Sequence, residues 1–270
     1  MIGAIIGDIV GSIYEFDNIK RKDFPLFSTD CDFTDDTVMT IAVAKALAQY
    51  NKEDGLEKFK SDLVDVMHEV GCRYPHCGYG GFFLVWMMKN HREPYNSFGN
   101  GSAMRVSAVG WYANSLEEAE LLAKATAEVT HNHPEGIIGA QATAAAIWLA
   151  RNGRDKEGMK ELIKEYIEAK YYRLDFTLDE IRPTYDYEVT CQKSVPQALV
   201  AFLESTDFED AIRNAISIGG DSDTIAAITG SIAEAFYGVD EDLEETALSF
   251  LDEYLLSEYD KAKAKLKNSK

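Results

Sequence analysis

The chain contains 270 residues, of which 46% are apolar. This is enough for a large hydrophobic core, in one large domain or at most two domains. Its 27 basic and 46 acidic residues give a formal net charge of −19, which excludes nucleic-acid binding through a basic surface. No apolar run approaches the roughly 20 residues needed to cross a bilayer, so a membrane span is also excluded.

Apolar residues recur at helical spacing along most of the chain. The first strong example is residues 56–70, where they return every three or four positions. Ser115 lies three residues before Glu118, and this pattern predicts a capping box at the start of a second helix. A third helix is expected between Pro134, at a first-turn position, and Gly153. Its alanine content indicates burial on several sides.

Three more helices are expected in the C-terminal part of the chain, at residues 194–204, 207–217 and 224–237. Gly238 is expected to end the last of them. Sustained alternation of apolar and polar residues is absent, and the best strand candidate, residues 185–191, is isolated. No repeat or linker is evident. The sequence therefore predicts one all-α domain over residues 1–270, with roughly ten or more helices.

Two acidic clusters stand where strongly apolar helices are about to begin. In DFTDDTVMTIAVAKAL, residues 32–47, the cluster consists of Thr34, Asp35 and Asp36. In SIGGDSDTIAAITGS, residues 217–231, it consists of Asp221, Asp223 and Thr224. At a helix start, threonine and aspartate side chains commonly accept hydrogen bonds from unpaired backbone amides, and aspartate interacts favourably with the helix dipole. Capping is therefore one interpretation of each cluster.

Capping alone does not explain why four carboxylates gather near a buried core, where they would repel one another unless cations neutralise them. Oxygen-only ligands favour a hard ion such as Mg²⁺ or Mn²⁺. Gly219 and Gly220 would let the backbone turn sharply and aim Asp221 and Asp223 to one side. The two clusters therefore predict metal ligands that are mounted on rigid helices.

Three further elements have a place in this hypothesis. Glu15 follows a glycine-rich apolar stretch, and by itself it would be an ordinary surface residue. SFGNGSAMRVSAVG, residues 97–110, has a glycine on each side of Asn100 and predicts either an ordinary turn or an anion site formed by free amides. His131 and His133 match no familiar zinc spacing, and a hydrogen-bonding role is favoured for His131.

The segment RYPHCGYGGFFLVWM, residues 73–87, predicts either a stacking wall or core packing, in particular for Phe82, Phe83 and Trp86. Cys72 and Cys77 are too isolated for a convincing metal site. The four scattered cysteines favour a reduced, cytoplasmic protein. The apolar start carries Asp8 and lacks a basic region, so it is not expected to be a signal peptide.

Taken together, these motifs resemble the ADP-ribosylglycohydrolases, the family of the dinitrogenase-reductase-activating glycohydrolase and the human ADP-ribosyl-acceptor hydrolases. The matching stretches follow the family's order and are GAIIGDIVGSIYEFDN, FTDDTVMTIAVAKAL, FGNGSAMRV, THNHPEGIIGA, KSVPQAL and ISIGGDSDTIAAITGSIAEAFYG. The resemblance implies a compact orthogonal multi-helix bundle with a central two-metal site. It also implies an enzyme that releases ADP-ribose from a modified protein side chain or a small acceptor.

The resemblance assigns a role to each matching residue. The metal ligands would be Thr34, Asp35, Asp36, Asp221, Asp223 and Thr224. The catalytic residues would be Glu15, as general acid or base, and Asp36. The ADP-ribose would be held by Ser97, Phe98, Gly99, Asn100, Gly101 and His131. The cofactor is expected to be two Mg²⁺ ions, with Mn²⁺ as the alternative, and the protein is expected to act as a monomer.

The linkage that is cleaved is less closely defined. GSIYEF and SFGNGSAMRV resemble the serine-directed relative, so an O-linked, serine-type ADP-ribose is slightly favoured over an arginine-linked one. THNHPEG departs from that relative after TH, and the segment between Glu15 and Thr34 is shorter. The charge of −19 would also favour a cationic arginine leaving group. The remaining alternatives are a different two-metal phosphoesterase and a non-catalytic binder of ADP-ribose.

Overall fold

Helices form the architecture of residues 1–153 and 158–267, the parts of the chain that the computed structural model describes. Short 3₁₀ turns follow the first helix at Ser12–Tyr14 and precede the third at Lys52–Asp54. The helices of the described residues are α1 (Ile2–Gly11), α2 (Asp35–Gln49), α3 (Gly55–Gly71), α4 (Gly81–Met88), α5 (Gly101–Met104), α6 (Ser107–Tyr112), α7 (Leu116–Glu128), α8 (Pro134–Asn152), α9 (Met159–Lys170), α10 (Leu178–Ile181), α11 (Cys191–Leu203), α12 (Phe208–Ser217), α13 (Ser222–Tyr237), α14 (Glu241–Leu248) and α15 (Glu253–Lys267).

Two of these helices, α2 and α13, lie at the centre of the bundle although both begin with acidic residues. Every side chain is buried over residues 36–44 of α2 and residues 222–233 of α13. Helix α13 packs against α1, α8, α11 and α12, and α2 packs against α1, α3 and α15. Because close-packed interiors move little, the acidic first turns of both helices are held in fixed positions.

Helix α1 packs directly on the backbone of α13, because glycine recurs at every fourth position of its contacting face. A Cβ atom at Gly7 would lie 2.1 Å from the carbonyl oxygen of Ala226. A Cβ atom at Gly11 would lie 2.4 Å from the Cα atom of Asp223. Only glycine fits at such separations. This close approach brings α1, which carries Asp8, beside the first turn of α13.

The prediction of an all-α fold is confirmed, and the helices expected from periodicity are present with small differences at their ends. Helix α8 begins at Pro134 and ends at Asn152, directly before Gly153, as expected. Helix α11 begins three residues before the expected start, at Cys191. At α7 the hydroxyl of Ser115 accepts the amide of Glu118 at 3.1 Å. The Glu118 carboxylate instead accepts the amide of Asn114, so only half of the expected capping box forms.

The strand candidate at residues 185–191 was wrong. The described residues contain no strand, and this segment makes only an isolated antiparallel bridge between Gly99 and Thr190. Tyr185 lies against the turn at Gly220, and Tyr187 donates a hydrogen bond to Glu15, so these aromatic side chains contact loops and not a sheet. With one short neighbour and no second partner, a sheet cannot propagate.

The helices of the described residues include none that is both long and apolar enough to cross a membrane. Cys72 is exposed and Cys77 is half-buried, while Cys31 and Cys191 are buried free thiols. Burial raises the pKa of the Cys191 thiol to about 12, so this side chain packs as a neutral group. A single domain over residues 1–270 stays a prediction.

Candidate active site

Carboxylates from four separate segments meet at the first turn of α13. They come from α1, from the residue after the first 3₁₀ turn, from the start of α2 and from the start of α13. One set has oxygen atoms within 4.8 Å of one another and consists of Asp8, Asp36 and Asp223. A second set meets the same limit and consists of Glu15, Asp221 and Asp223. The structure therefore brings Asp36 of the first cluster together with both aspartates of the second cluster and the upstream glutamate. Asp35 is in neither set and lines the neighbouring cavity.

Burial and mutual repulsion make these carboxylates reluctant to ionise. Burial, followed by the charge of Asp8, raises the pKa of Asp36 well above its ordinary value of 3.8. Burial and the charge of Asp221 do the same for Asp223. The pKa of Glu15 rises to about 7, mainly through burial and then through the charge of Asp221. At neutral pH the cluster therefore retains protons unless another positive charge replaces them.

Helix capping accounts for Thr34, whose hydroxyl oxygen accepts the amide of Asp36 at 3.3 Å. It does not account for Asp221, which stands before α13 without a capping hydrogen bond and instead accepts the side-chain amide of Asn100 at 2.6 Å. One oxygen of Asp36 accepts the hydroxyl of Thr224 at 2.9 Å. The other, Oδ1, is buried and has no hydrogen bond among the described residues. Such an oxygen, facing other carboxylates, fits a cation ligand.

Asp8 belongs to this site and was missed by the sequence interpretation. It is fully buried, and its Oδ2 accepts the backbone amides of Thr34 at 2.9 Å and Thr37 at 3.0 Å. Its Oδ1 accepts the hydroxyl proton of Thr34 at 2.6 Å. Asp8, on the neighbouring helix α1, thus caps α2 and holds the start of α2, which carries the first acidic cluster, in a fixed orientation. A lone acidic residue within the apolar helix IGAIIGDIVG was the available signal.

A cavity of about 310 Å³ opens beside the carboxylates. The predicted residues that line it are Glu15, Asp35, Asp36, Ser97, Gly99, Asn100, Gly101, His131, Asp221, Asp223 and Thr224. Two predicted residues, Thr34 and Phe98, are not part of the lining. Phe98 is 45% exposed and its ring centre lies 5.2 Å from that of His133. Nearly all of the predicted residues therefore share one cavity.

The loop that precedes α5 uses many of its own amides. Three amides in the range 99–103 already donate to acceptors within the protein, at Gly99, Asn100 and Ala103. Among the described residues, the amides of Gly101 and Ser102 have no acceptor. Only these two amides therefore remain available as donors for the anion site that the sequence predicted at this turn.

Aromatic side chains complete the cavity wall. Tyr187, from the segment expected to be a strand, donates its hydroxyl to Oε1 of Glu15 at 3.1 Å. Phe82 is 82% exposed and lines the cavity, and the buried Phe83 also lines it. Trp86 is buried outside the lining. Core packing is therefore seen for Phe83 and Trp86, whereas a stacking role for Phe82 stays a prediction.

The turn before the second acidic cluster has the backbone that its glycines suggested. Gly219 and Gly220 have φ angles of 69° and 80°, in the left-handed region. The side chain of Asn18 donates to the carbonyl oxygens of Glu15 and Gly220, both at 2.9 Å. It accepts the amide of Gly220 at 2.6 Å. These bonds hold the glutamate segment against the turn that aims Asp221.

Among the described residues, neither carboxylate set includes a histidine or a cysteine, so nothing in the site favours zinc. His131 is buried, and burial together with the charge of Arg105 holds its pKa well below the ordinary value of 6.5. The ring is therefore neutral at pH 7. His133 instead caps α8 by accepting the amide of Glu135 at 3.1 Å.

Comparison with known proteins agrees with this geometry. The family model for ADP-ribosylglycohydrolase matches residues 1–265. Human ADP-ribosylhydrolase ARH3 is 28% identical over 316 residues, which cover 89% of this chain and 85% of the relative. ADP-ribosylarginine hydrolase Tri1 of Pseudomonas putida (strain GB-1) is 28% identical over 266 residues, which cover 88% of this chain and 70% of the relative.

A solved structure, described as an ADP-ribosylglycohydrolase-related protein complex, has the same fold. It superposes with a TM-score of 0.71 at 21% identity and covers 100% of this chain and 97% of its own. The family match spans almost the whole chain, and the acidic motifs that carry the resemblance converge on one cavity. The chain therefore belongs to the ADP-ribosylglycohydrolase family and is a glycosidic-bond hydrolase.

Proposed function

We propose that this hydrolase releases ADP-ribose from an O-linked, serine-type attachment, and that it uses divalent cations held by the carboxylate cluster. The observation that carries the proposal is the position of Glu15. This carboxyl lines the cavity, and one of its oxygens lies within 4.8 Å of carboxylate oxygens of Asp221 and Asp223. Without bound cations, burial and the charge of Asp221 raise its pKa to about 7. A carboxyl in this position can give a proton to the leaving group or take one from water, which is what cleavage of a glycosidic bond requires.

The cations would be held by the carboxylates of both acidic clusters and by the hydroxyl oxygens of Thr34 and Thr224. The buried Oδ1 of Asp36, which lacks a hydrogen bond among the described residues, supports this assignment. Because all of these ligands are oxygen, Mg²⁺ is the proposed ion and Mn²⁺ the alternative, with two ions expected. When bound, the ions would supply positive charge to the ribose hydroxyls and to the attacking water.

Glu15 would move the proton. Tyr187 occupies Oε1 of Glu15, so Oε2 is the oxygen proposed to hold the proton that the leaving group receives. The bond between the anomeric carbon and the serine oxygen breaks, and the proton of Glu15 passes to that oxygen. A water oxygen takes its place on the carbon, and the proton that this water loses returns to Glu15. The products are ADP-ribose and an unmodified serine side chain.

An anionic ligand can bind to this acidic chain because local groups act at short range. The amides of Gly101 and Ser102, which have no acceptor among the described residues, are the proposed donors to phosphate oxygens, and Gly101 lines the cavity. The net charge of −19 belongs largely to distant surface residues, whose effect is screened within about 8–10 Å at physiological salt. Stacking of the adenine would fall to the aromatic wall that includes Phe82.

Arginine-linked ADP-ribose is the second candidate. The relative from Pseudomonas putida is named an ADP-ribosylarginine hydrolase, and its identity to this chain is 28%, the same as that of the human relative. The acidic surface would also attract an arginine leaving group. Serine is preferred because its alkoxide is a poor leaving group and gains more from a proton donor such as Glu15.

Two peptides of matched sequence test the linkage, one modified on serine and the other on arginine. We expect the protein with Mg²⁺ to release free ADP-ribose from the serine-linked peptide at the higher kcat/KM. A Glu15→Gln variant should lose that release while it still binds ADP-ribose. Efficient release from the arginine-linked peptide alone would show that the cleaved linkage is to arginine and not to serine. Phosphate release from a phosphoester, without release of ADP-ribose, would favour the phosphoesterase alternative.

The cytoplasmic location, the monomeric state and the exclusion of nucleic acid as a partner stay predictions.

A further inference from the structure

Arg105 is buried in an unusual way for an acidic protein. It is 1% exposed, and among the described residues its guanidinium has no carboxylate partner. Its Nη2 donates to the carbonyl oxygen of Thr126 at 2.9 Å and to the hydroxyl oxygen of Thr130 at 2.8 Å. Burial lowers its pKa to about 10, which still leaves it charged at neutral pH. A buried charge without a counter-ion is costly to the fold, so its retention points to another role.

The hydroxyl of Thr130 connects this charge to His131. Its oxygen lies 2.7 Å from Nδ1 of the imidazole. A hydroxyl has a single proton and can accept two hydrogen bonds. Because Arg105 can only donate, the proton of Thr130 is free to go to Nδ1, and among the described residues no other acceptor is within hydrogen-bond distance of it. If Nδ1 carried a proton instead, the Thr130 proton would be buried without a partner, which is costly.

The opposite nitrogen of the ring, Nε2, faces the cavity. His131 lines the cavity, and Nε2 makes no hydrogen bond among the described residues. A Cβ atom at Gly99 would lie 3.5 Å from Nε2, and one at Gly101 would lie 3.2 Å from it. The two glycines therefore leave this nitrogen uncovered by side chains.

We propose that Arg105 and Thr130 are positioning residues, which hold His131 as the neutral Nε2–H tautomer so that it donates a hydrogen bond to a substrate oxygen in the cavity. Arg105 orients the hydroxyl of Thr130, and this hydroxyl donates to Nδ1 of His131. The proton of the imidazole therefore lies on Nε2, where it can be donated to the substrate. The identity of the acceptor, an anionic oxygen of ADP-ribose, rests on the proposed function.

This relay gives the cavity an uncharged donor for an anion. Arg105 also lines the cavity, and its positive charge disfavours protonation of His131. A charged imidazole beside the carboxylate cluster would be attracted to those carboxylates and would compete with cations for them. A neutral donor avoids that competition and keeps the ring directed at the substrate.

Side-chain NMR of the full-length protein labelled with ¹⁵N-histidine tests the relay at pH 7 with Mg²⁺ present. The chain has five histidines, and the His131 signals are assigned by their loss in a His131→Asn variant. We expect an unprotonated Nδ1 and a protonated Nε2. A Nδ1–H tautomer or an imidazolium in the unmodified protein would overturn the proposal. The variant serves only for the assignment, and the other four histidine signals show whether it is folded.

Two substitutions at Thr130 separate the hydroxyl from the shape of the side chain. Thr130→Ser keeps the hydroxyl and should retain the Nε2–H tautomer. Thr130→Val removes it and should give a mixture of tautomers, together with roughly tenfold weaker binding of ADP-ribose. An unchanged tautomer in the valine variant would overturn the relay. Failure of the unmodified protein to bind ADP-ribose would instead count against the proposed function, and the NMR result would still decide the relay.

Discussion

Replacing Asp36 by Asn should make the metal-free protein more stable and the metal-bound protein less stable. The oxygens of Asp36 lie within 4.8 Å of those of Asp8 and Asp223. At an effective dielectric constant of about 20, two full charges at that distance repel by about 3 kcal/mol. Protons retained by the cluster reduce this cost, so we expect a gain of about 1–2 kcal/mol. The hydrogen bond from Thr224 survives, because the amide oxygen of Asn still accepts it.

The sign of the pH dependence follows from the raised pKa values of Asp36 and Asp223. Above the ordinary carboxylate value of about 3.9, the unfolded chain releases these protons while the folded protein retains them. The metal-free protein therefore loses stability as the pH rises from about 4 through the raised pKa values. The advantage of the Asn variant should be small near pH 4 and largest above neutrality.

Thermal unfolding in EDTA and in excess Mg²⁺ measures both effects. For a chain of this size, 1 kcal/mol corresponds to about 2–4 °C in Tm. Mg²⁺ at a hundredfold excess over its Kd should stabilise the unmodified protein by about 2.7 kcal/mol and should affect the Asn variant much less. Asp30→Asn, at an exposed carboxylate outside the cluster, is the matched control. A lower Tm for Asp36→Asn than for the unmodified protein in EDTA would contradict the predicted relief of repulsion. Equal stabilisation of the two proteins by Mg²⁺ would contradict a role of Asp36 in metal binding.

Three more predictions concern the acid, its partner and the helix contact. Glu15→Gln should reduce turnover by about 10²–10⁴-fold with ADP-ribose binding retained, and unchanged turnover would contradict its proposed role. Tyr187→Phe removes a hydrogen bond that lowers the pKa of Glu15, so the alkaline decline of turnover should move to higher pH; an identical pH profile would exclude that coupling. Gly7→Ala places a Cβ atom 2.1 Å from the Ala226 carbonyl oxygen and should cost about 1–3 kcal/mol in chemical unfolding, whereas Gly80→Ala, with open space around it, should cost little.

The helices and the two acidic clusters could be predicted because their signals are local in sequence. Apolar residues at a period near 3.6 identify α3 and α8 without knowledge of their neighbours. Asp35 and Asp36 stand directly before such a period, and so do Asp221 and Asp223. The sequence therefore located both acidic helix starts, although it did not show that they meet.

The parts that were missed depend on contacts between distant residues. Asp8 acquires its role only because the glycines of α1 allow that helix to approach α13, which brings it to the start of α2. Arg105 and Thr130 are separated by 25 positions, and no periodic pattern in the sequence indicates their hydrogen bond. The strand expected at residues 185–191 was wrong for the same reason, because its tyrosines contact Glu15 and Gly220, which are distant in sequence.

Release of ADP-ribose from a serine-linked peptide is the decisive measurement for the proposed metal-dependent hydrolysis. It compares the unmodified protein in Mg²⁺, the same protein in EDTA, and an Asp223→Ala variant in Mg²⁺. Circular dichroism confirms that the variant is folded. We expect release only from the unmodified protein in Mg²⁺, because Asp223 belongs to both carboxylate sets. Full, EDTA-sensitive release by the Asp223→Ala variant would contradict the proposed metal centre.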